Sequence, residues 1–122
     1  MTPTLYIFVR RDIPDMNPGK MAAQVAHAQA DFDNWVVDKN VVGLSEWRED
    51  RTFGRTLVVS ATLKEMQAMD MRVYHSGLTT DPTYPWKNYW GETFVSEEVT
   101  TAWAFPVTET EMEYLKQFPL HK

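Results

Sequence analysis

The chain has 122 residues, 43% hydrophobic and 24% charged, which fits one globular domain and excludes an intrinsically disordered chain. It contains no cysteine, which excludes disulfides and thiolate chemistry, and no apolar run approaches the roughly 20 residues of a membrane span. The net charge of −5 argues against a generally basic nucleic-acid-binding surface, although a local basic patch is compatible with it. Because the first basic residues follow the apolar run, the N-terminus does not resemble a secretory signal, and we predict a cytoplasmic protein.

The first part of the chain predicts a strand, a turn and a long helix. The apolar run Leu5–Val9 ends in charge and is typical of a buried strand. Two prolines mark a turn, and Pro18 suits the first position of a helix with Asn17 as its N-cap. Apolar residues then recur at spacings of three and four, which predicts one buried helix face. That face comprises Met21, Val25, Ala28, Phe32, Trp35 and Val36.

The middle of the chain predicts a second strand, a capped helix and a third strand. Residues 56–61 form the apolar run of a strand. Thr62 and Glu65 have the spacing of a capping box, which predicts a helix over residues 63–72. We predict that the third strand follows at once, over residues 73–77.

A broad aromatic segment separates the third strand from the fourth. Residues 81–98 are rich in proline and aromatic side chains, so we predict a loop insertion there. The fourth strand is predicted over residues 100–105, and Thr108 with Glu111 repeats the capping pattern before a last short helix. Strands alternating with helices predict a single α/β domain over residues 1–122, with a mixed four-stranded sheet covered by helices on both faces.

A polar stripe on the first long helix is the first candidate site. Its members project from one side of the helix because their spacings are four, three and four. They are Lys20, Gln24, His27 and Asp31. The charge of Lys20 would add to the positive helix N-terminus, which suits a phosphate or a developing oxyanion. The alternative is a solvated polar stripe in which His27 has only a packing role.

Two other groups of residues carry candidate chemistry. His75 stands beside hydroxyl residues and Gly77, and an imidazole near its ordinary pKa is a suitable general base, although a polar turn explains the same pattern. Trp86 and Trp90 of the segment 81–98 suit stacking on bases, and equally a satellite core or a protein contact. The histidines show no zinc-site spacing, so we predict neither a metal nor a cofactor.

Two segments resemble the peptidyl-tRNA hydrolase type 2 family. Residues 9–28, VRRDIPDMNPGKMAAQVAHA, are similar to the family's Val-Arg-x-Asp, Met-Gly-x-Gly-Lys and Ala-Ala-Gln-x-x-His-Ala in that order. The matching residues are Arg10, Asp12, Met16, Gly19, Lys20, Ala22, Ala23, Gln24, His27 and Ala28. Residues 75–80, HSGLTT, resemble Asp-Ala-Gly-x-Thr-Gln through Gly77 and Thr79. The order of elements agrees along most of the chain, and short divergent members of this kind resemble those carried by bacteriophages.

The resemblance implies hydrolysis of the ester between a peptidyl group and the terminal ribose of tRNA, without metal or cofactor. It implies that Lys20, His75 and Thr79 are catalytic and border one pocket. Lys20 would bind a phosphate or the carbonyl oxygen, and Thr79 would position water or the ribose. Arg10 would hold a tRNA phosphate or, alternatively, form a structural pair with Asp12. The expected RNA-binding residues are Arg10, Arg11, Gln24, His27, Trp86 and Trp90.

Departures from the family pattern support other hypotheses. His75 replaces the family's acidic residue before Ala-Gly, and Pro18 and Leu78 replace a lysine and an arginine. These changes suit a non-catalytic protein that binds an RNA end, a nucleotide or a protein through residues 81–98. A homodimer with an aromatic interface is a third alternative. The partner predicted by the leading hypothesis is tRNA carrying a peptidyl group, with no membrane association.

Overall fold

The chain forms its predicted four strands, and helices follow the first, second and fourth of them. In the computed structural model the described residues are 3–12, 18–50, 54–80 and 99–121. The strands are β1 (Leu5–Arg10), β2 (Thr56–Ala61), β3 (Ser76–Thr80) and β4 (Val99–Ala104). The helices are α1 (Pro18–Val36), α2 (Leu44–Glu49), α3 (Leu63–Arg72) and α4 (Glu109–Leu115). Within the described ranges, no helix combines the length and the apolar character needed to cross a membrane.

The four strands form one mixed sheet in the order β2-β1-β4-β3. β1 and β2 are parallel, and β4 is antiparallel to both of its neighbours. The carboxyl ends of β1, β2 and β3 therefore meet the amino end of β4. We call this the upper end of the sheet, and it is formed by Arg10, Ala61, Thr80 and Val99. The opposite lower end is formed by Leu5, Thr56, Ser76 and Ala104.

One face of the sheet packs against α1 and α2 around the ring of Phe32. The centroid of this buried ring lies 5.5 Å from that of Trp47, 5.1 Å from that of Trp103 and 5.7 Å from that of Phe105. Trp103 and Phe105 lie on the same face because side chains alternate along a strand. The apolar spacing of α1 is thus explained by burial against this face.

The opposite face packs against α3 and α4. Phe8 of β1 is completely buried there, with Met66 and Met69 of α3 and Leu115 of α4. The ring of Phe118, just after α4, meets Phe8 edge-on with 5.0 Å between centroids. Helices on both faces of a mixed four-stranded sheet confirm the predicted fold class.

The predicted capping box at the start of α3 is present, and the one at α4 is half formed. Glu65 N donates to Thr62 Oγ1 at 3.2 Å, and Thr62 N donates to Glu65 Oε1 at 2.8 Å. At α4, Glu111 N donates to Thr108 Oγ1 at 3.1 Å. The carboxylate of Glu111 instead accepts a hydrogen bond from Tyr74 N at 2.8 Å, which ties α4 to the segment before β3.

The third strand lies three residues later than predicted. Val73 caps the end of α3, with its N–H donating to Met69 O at 3.0 Å, and β3 begins only at Ser76. Ser76 Oγ fixes this connection by donating to Asp70 Oδ1 at 2.9 Å. The prediction was wrong because Val73 and Tyr74 have strand propensity, whereas their backbone continues the helix and its connection.

Two predictions fall on residues that the structure does not describe. The predicted N-cap Asn17 and the predicted loop insertion over residues 81–98 both lie outside the described ranges.

Candidate functional site

The upper end of the sheet holds the first turn of α1. The Oγ1 hydroxyl of Thr101 donates to the backbone oxygen of Gln24 at 3.4 Å, and Trp103 Nε1 donates to Asp31 Oδ2 at 2.7 Å. β4 runs from the upper end of the sheet to the lower end. Because the two hydrogen bonds occur in the same order along β4 and α1, α1 runs in the same direction as β4. The backbone of Lys20, one turn before Gln24, therefore lies at the upper end.

Thr79 brings a buried hydroxyl to this end of the sheet. It pairs with Thr101 across β3 and β4 and is only 9% exposed. Among the described residues its Oγ1 has no hydrogen-bond partner, although its backbone oxygen accepts from Thr100 Oγ1 at 3.4 Å. Burying a hydroxyl that makes no hydrogen bond lowers the free energy of unfolding by about 1–3 kcal/mol. The packing of the described residues therefore does not explain why a threonine stands at position 79.

The polar stripe of α1 is divided between the sheet and solvent. Gln24 is only 2% exposed and lies next to Thr101. Asp31 is exposed, although its carboxylate accepts the indole hydrogen bond of Trp103, and His27 is exposed as well. The solvated stripe that the sequence left as an alternative is therefore wrong for Gln24 alone among the three.

Arg10 closes the upper end through an ion pair. Its Nε and Nη2 donate to Asp12 Oδ1 at 2.9 Å and Oδ2 at 3.1 Å, and its Nη1 donates to Val99 O at 3.0 Å. The Arg10 side chain is 8% exposed, and its hydrogen bonds lower the pKa of the Asp12 carboxyl. The structural pair with Asp12, left open by the sequence, is thus formed, and the hydrogen bond from Arg10 to Val99 O joins the end of β1 to the start of β4.

We expect this ion pair to make stability depend on pH in the acid range. Because the folded pKa of Asp12 is lowered, its contribution is present above the unfolded pKa of about 3.9 and is lost as the pH falls through the folded value. The free energy of unfolding of wild type should exceed that of Asp12→Asn at neutral pH, and the difference should shrink in acid. Urea unfolding at several pH values measures it, with exposed Asp38→Asn as the control. A difference independent of pH would contradict the prediction.

Of the remaining expected RNA-binding residues, the structure describes Arg11 and not the two tryptophans. Arg11 is exposed, and its Nη2 lies 2.8 Å from Glu65 Oε1, which joins β1 to the first turn of α3. Trp86 and Trp90 lie outside the described ranges.

His75 lies at the lower end of the sheet, away from the other predicted catalytic residues. Its ring centroid is 5.0 Å from that of Trp35 and 4.8 Å from that of Tyr74. The roughly 15 residues from Lys20 to Trp35 span about 22 Å along α1. The expectation that Lys20 and His75 border one pocket is therefore wrong. Burial lowers the pKa of His75, with Lys39 acting in the same direction.

Gly77 has a packing role that explains part of the sequence pattern around it. A Cβ there would lie 2.6 Å from Trp103 Nε1 and 3.1 Å from Asp31 Oδ2. Only glycine therefore lets β3 pass the hydrogen-bonded indole without displacing it. Glycine is needed at position 77 because the indole of Trp103 packs against it. The presence of Gly77 therefore does not indicate which end of β3 borders the candidate site.

Asp81, which follows the cluster of His75, Gly77 and Thr79 in the sequence and begins the predicted loop insertion, lies outside the described ranges.

Comparison with known proteins agrees with the fold and with the resemblance of the two motifs. The family described as peptidyl-tRNA hydrolase PTH2 matches residues 4–116, a span that contains every described strand and helix. No curated protein matches the chain. On this match, the chain belongs to the peptidyl-tRNA hydrolase PTH2 family.

Proposed function

We propose that the protein hydrolyses the ester bond between a peptidyl or N-acyl-aminoacyl group and tRNA, at the upper end of its sheet. Water adds to the ester carbonyl carbon, and the bond from that carbon to the ribose oxygen breaks. One proton of the water passes to the ribose oxygen, and the other is released when the carboxylic acid ionises. The products are a peptide with a free carboxylate and a tRNA with a free ribose hydroxyl. Since ribosomes make peptidyl-tRNA, we place the reaction in the cytoplasm.

The observation that carries the proposal is the buried Thr79 hydroxyl at the upper end of the sheet, the end at which α1 begins. Family membership supports the reaction class, and the Thr79 hydroxyl, which has no hydrogen-bond partner among the described residues, supports the position of the site. We assign to Thr79 the positioning of the attacking water or of the ribose. The hydroxyl is fixed by the strand pairing with Thr101, so little reorganisation is needed when substrate binds.

Lys20 supplies positive charge in this proposal. α1 is 19 residues long, and the N–H groups of its first turn have no partners within the helix. Their partial positive charge, together with the ammonium of Lys20, favours an oxyanion or a phosphate. We assign to Lys20 the stabilisation of the carbonyl oxygen as it becomes negative, or the binding of the terminal phosphate.

We expect Thr79→Val to separate stability from activity. The free energy of unfolding should be unchanged or slightly higher, because no hydrogen bond of the Thr79 hydroxyl to a described residue is lost. The single-turnover rate on N-acetyl-aminoacyl-tRNA should fall by about 10- to 100-fold, the expected loss of one positioned polar group. Thr56→Val, at the lower end, is the matched control and should keep the wild-type rate. A normal rate in Thr79→Val would remove Thr79 from the site.

The test of the whole proposal is single-turnover cleavage of N-acetyl-aminoacyl-tRNA by the purified protein. We expect cleavage by wild type, normal cleavage by His75→Gln and strongly reduced cleavage by Thr79→Val, since we assign the positioning of water or of the ribose to Thr79. Absence of cleavage by wild type would reject the enzyme and favour the non-catalytic binding protein.

A further inference from the structure

A cavity separate from the candidate catalytic site lies near the lower end of the sheet, on the side covered by α4. Its volume is about 490 Å³, within the range of small-molecule sites. Tyr6 of β1 and Arg55, just before β2, form one wall, and Lys116 at the end of α4 faces them. Tyr6 is separated from Arg10 by about 13 Å of strand, so this cavity is distinct from the candidate catalytic site.

The walls of this lower cavity are held by the fold. The backbone oxygen of Arg55 accepts hydrogen bonds from Leu5 N at 2.9 Å and Trp47 Nε1 at 2.7 Å. Tyr6 belongs to the buried cluster that also contains Leu115 of α4. The cavity is therefore formed without a ligand, which reduces the entropy lost on binding.

Charges of both signs surround the lower cavity. Burial raises the pKa of the Tyr6 hydroxyl, and the positive charges of Arg55 and Lys116 partly oppose this rise. Glu109 and Glu113 of α4 line the same cavity, and Glu113 Oε1 lies 3.1 Å from Lys116 Nζ. Two cations and two carboxylates cancel, so the cavity does not favour a ligand of large net charge. A zwitterion, however, gains an attractive contact at each end.

An apolar floor joins the charged walls to a second hollow. Pro106 and Met112 line the lower cavity and also line a neighbouring hollow of about 250 Å³. That hollow continues over Val42 and Val107, and Val42 is highly exposed. An apolar group placed over Pro106 and Met112 would cover hydrophobic surface that the described residues leave open to solvent.

We propose that the lower cavity binds a short zwitterionic peptide with an apolar side chain. The carboxylate lies against the guanidinium of Arg55 and the hydroxyl of Tyr6, and the ammonium lies against Glu109. The apolar side chain covers Pro106 and Met112. This site stands independently of the proposed hydrolysis, although that reaction would release a molecule of the same class.

The test uses the dipeptide alanyl-leucine and the intact ¹⁵N-labelled protein, without tRNA. We expect saturable changes in the amide signals of Tyr6, Arg55 and Met112, with a Kd of about 1 mM, as suits a small ligand with few contacts. N-acetyl-alanyl-leucine, which lacks the ammonium, and alanyl-leucine amide, which lacks the carboxylate, should each bind about tenfold more weakly.

Arg55→Gln tests the carboxylate contact and should weaken binding of alanyl-leucine about tenfold. The variant should fold, because Leu5 and Trp47 bind the backbone of Arg55 and not its side chain. Tyr6→Phe should also weaken binding, and Arg48→Gln on α2 is the charge-matched control. The proposal is overturned if no saturable change occurs up to about 20 mM, or if either capped dipeptide binds as well as the zwitterion.

Discussion

Lys20→Ala is expected to lower kcat/KM for N-acetyl-aminoacyl-tRNA by about 100- to 1,000-fold. That is the usual loss when one preorganised donor to a developing oxyanion is removed. The folded state should be unaffected, because alanine is a good helix former in the first turn of α1. Steady-state kinetics and thermal unfolding of the same preparation measure both quantities.

The matched control for Lys20→Ala is Lys39→Ala. Lys39 lies at the other end of α1, where its Nζ donates to Trp35 O at 2.9 Å and lies 4.8 Å from the indole centroid. Both variants lower the net charge equally, so a general electrostatic effect on tRNA binding would appear in both. We expect the large loss only in Lys20→Ala. Equal losses, or a loss under about twofold, would contradict the role assigned to Lys20.

Phe32→Ala is expected to lower the free energy of unfolding by about 3–5 kcal/mol, the usual cost of removing a buried aromatic ring. Phe32 is 0% exposed and its ring contacts four others, so the cavity could not be filled without moving several of them. These are the rings of Trp35, Trp47, Trp103 and Phe105. Since the total free energy of unfolding of a small domain is only about 5–15 kcal/mol, the Phe32→Ala variant should be close to unfolding.

Urea unfolding followed by circular dichroism measures this loss. Val37→Ala, one residue beyond α1 and 70% exposed, is the control and should stay within about 0.5 kcal/mol of wild type. Phe32→Leu should fall between the two, since it removes less volume. A loss below about 1 kcal/mol in Phe32→Ala would show that the α1 face of the sheet does not depend on this ring.

Local patterns predicted most of the fold because those patterns act within one element. The spacing of Ala28, Phe32 and Val36 predicted the buried face of α1, and all three are buried there. The Thr62 capping box predicted the start of α3 to the residue. The predicted start of the third strand was wrong because Val73 ends α3, where its backbone N–H donates to Met69 O. A side-chain pattern does not show a backbone hydrogen bond of this kind.

The site was harder to predict because it depends on which end of the sheet each residue reaches. Thr79 lies at the upper end because the pairing of β3 with β4 puts it opposite Thr101. His75 was aligned with the acidic residue of the family motif because Gly77 matches the glycine of that motif. Glycine at position 77 is explained by the packing of Trp103 against it, so this match does not place His75 at the site. His75 and Thr79 are only four residues apart, yet they lie near opposite ends of β3, and the register of the sheet decides which end each residue reaches.

The most direct test is to compare the single-turnover time courses of wild type, Thr79→Val and His75→Gln on N-acetyl-aminoacyl-tRNA. The proposed reaction centre predicts cleavage by wild type, the same rate for His75→Gln, and a rate about 10- to 100-fold lower for Thr79→Val with unchanged stability. A loss in His75→Gln while Thr79→Val remains fully active would place the chemistry at the lower end of the sheet and contradict this account.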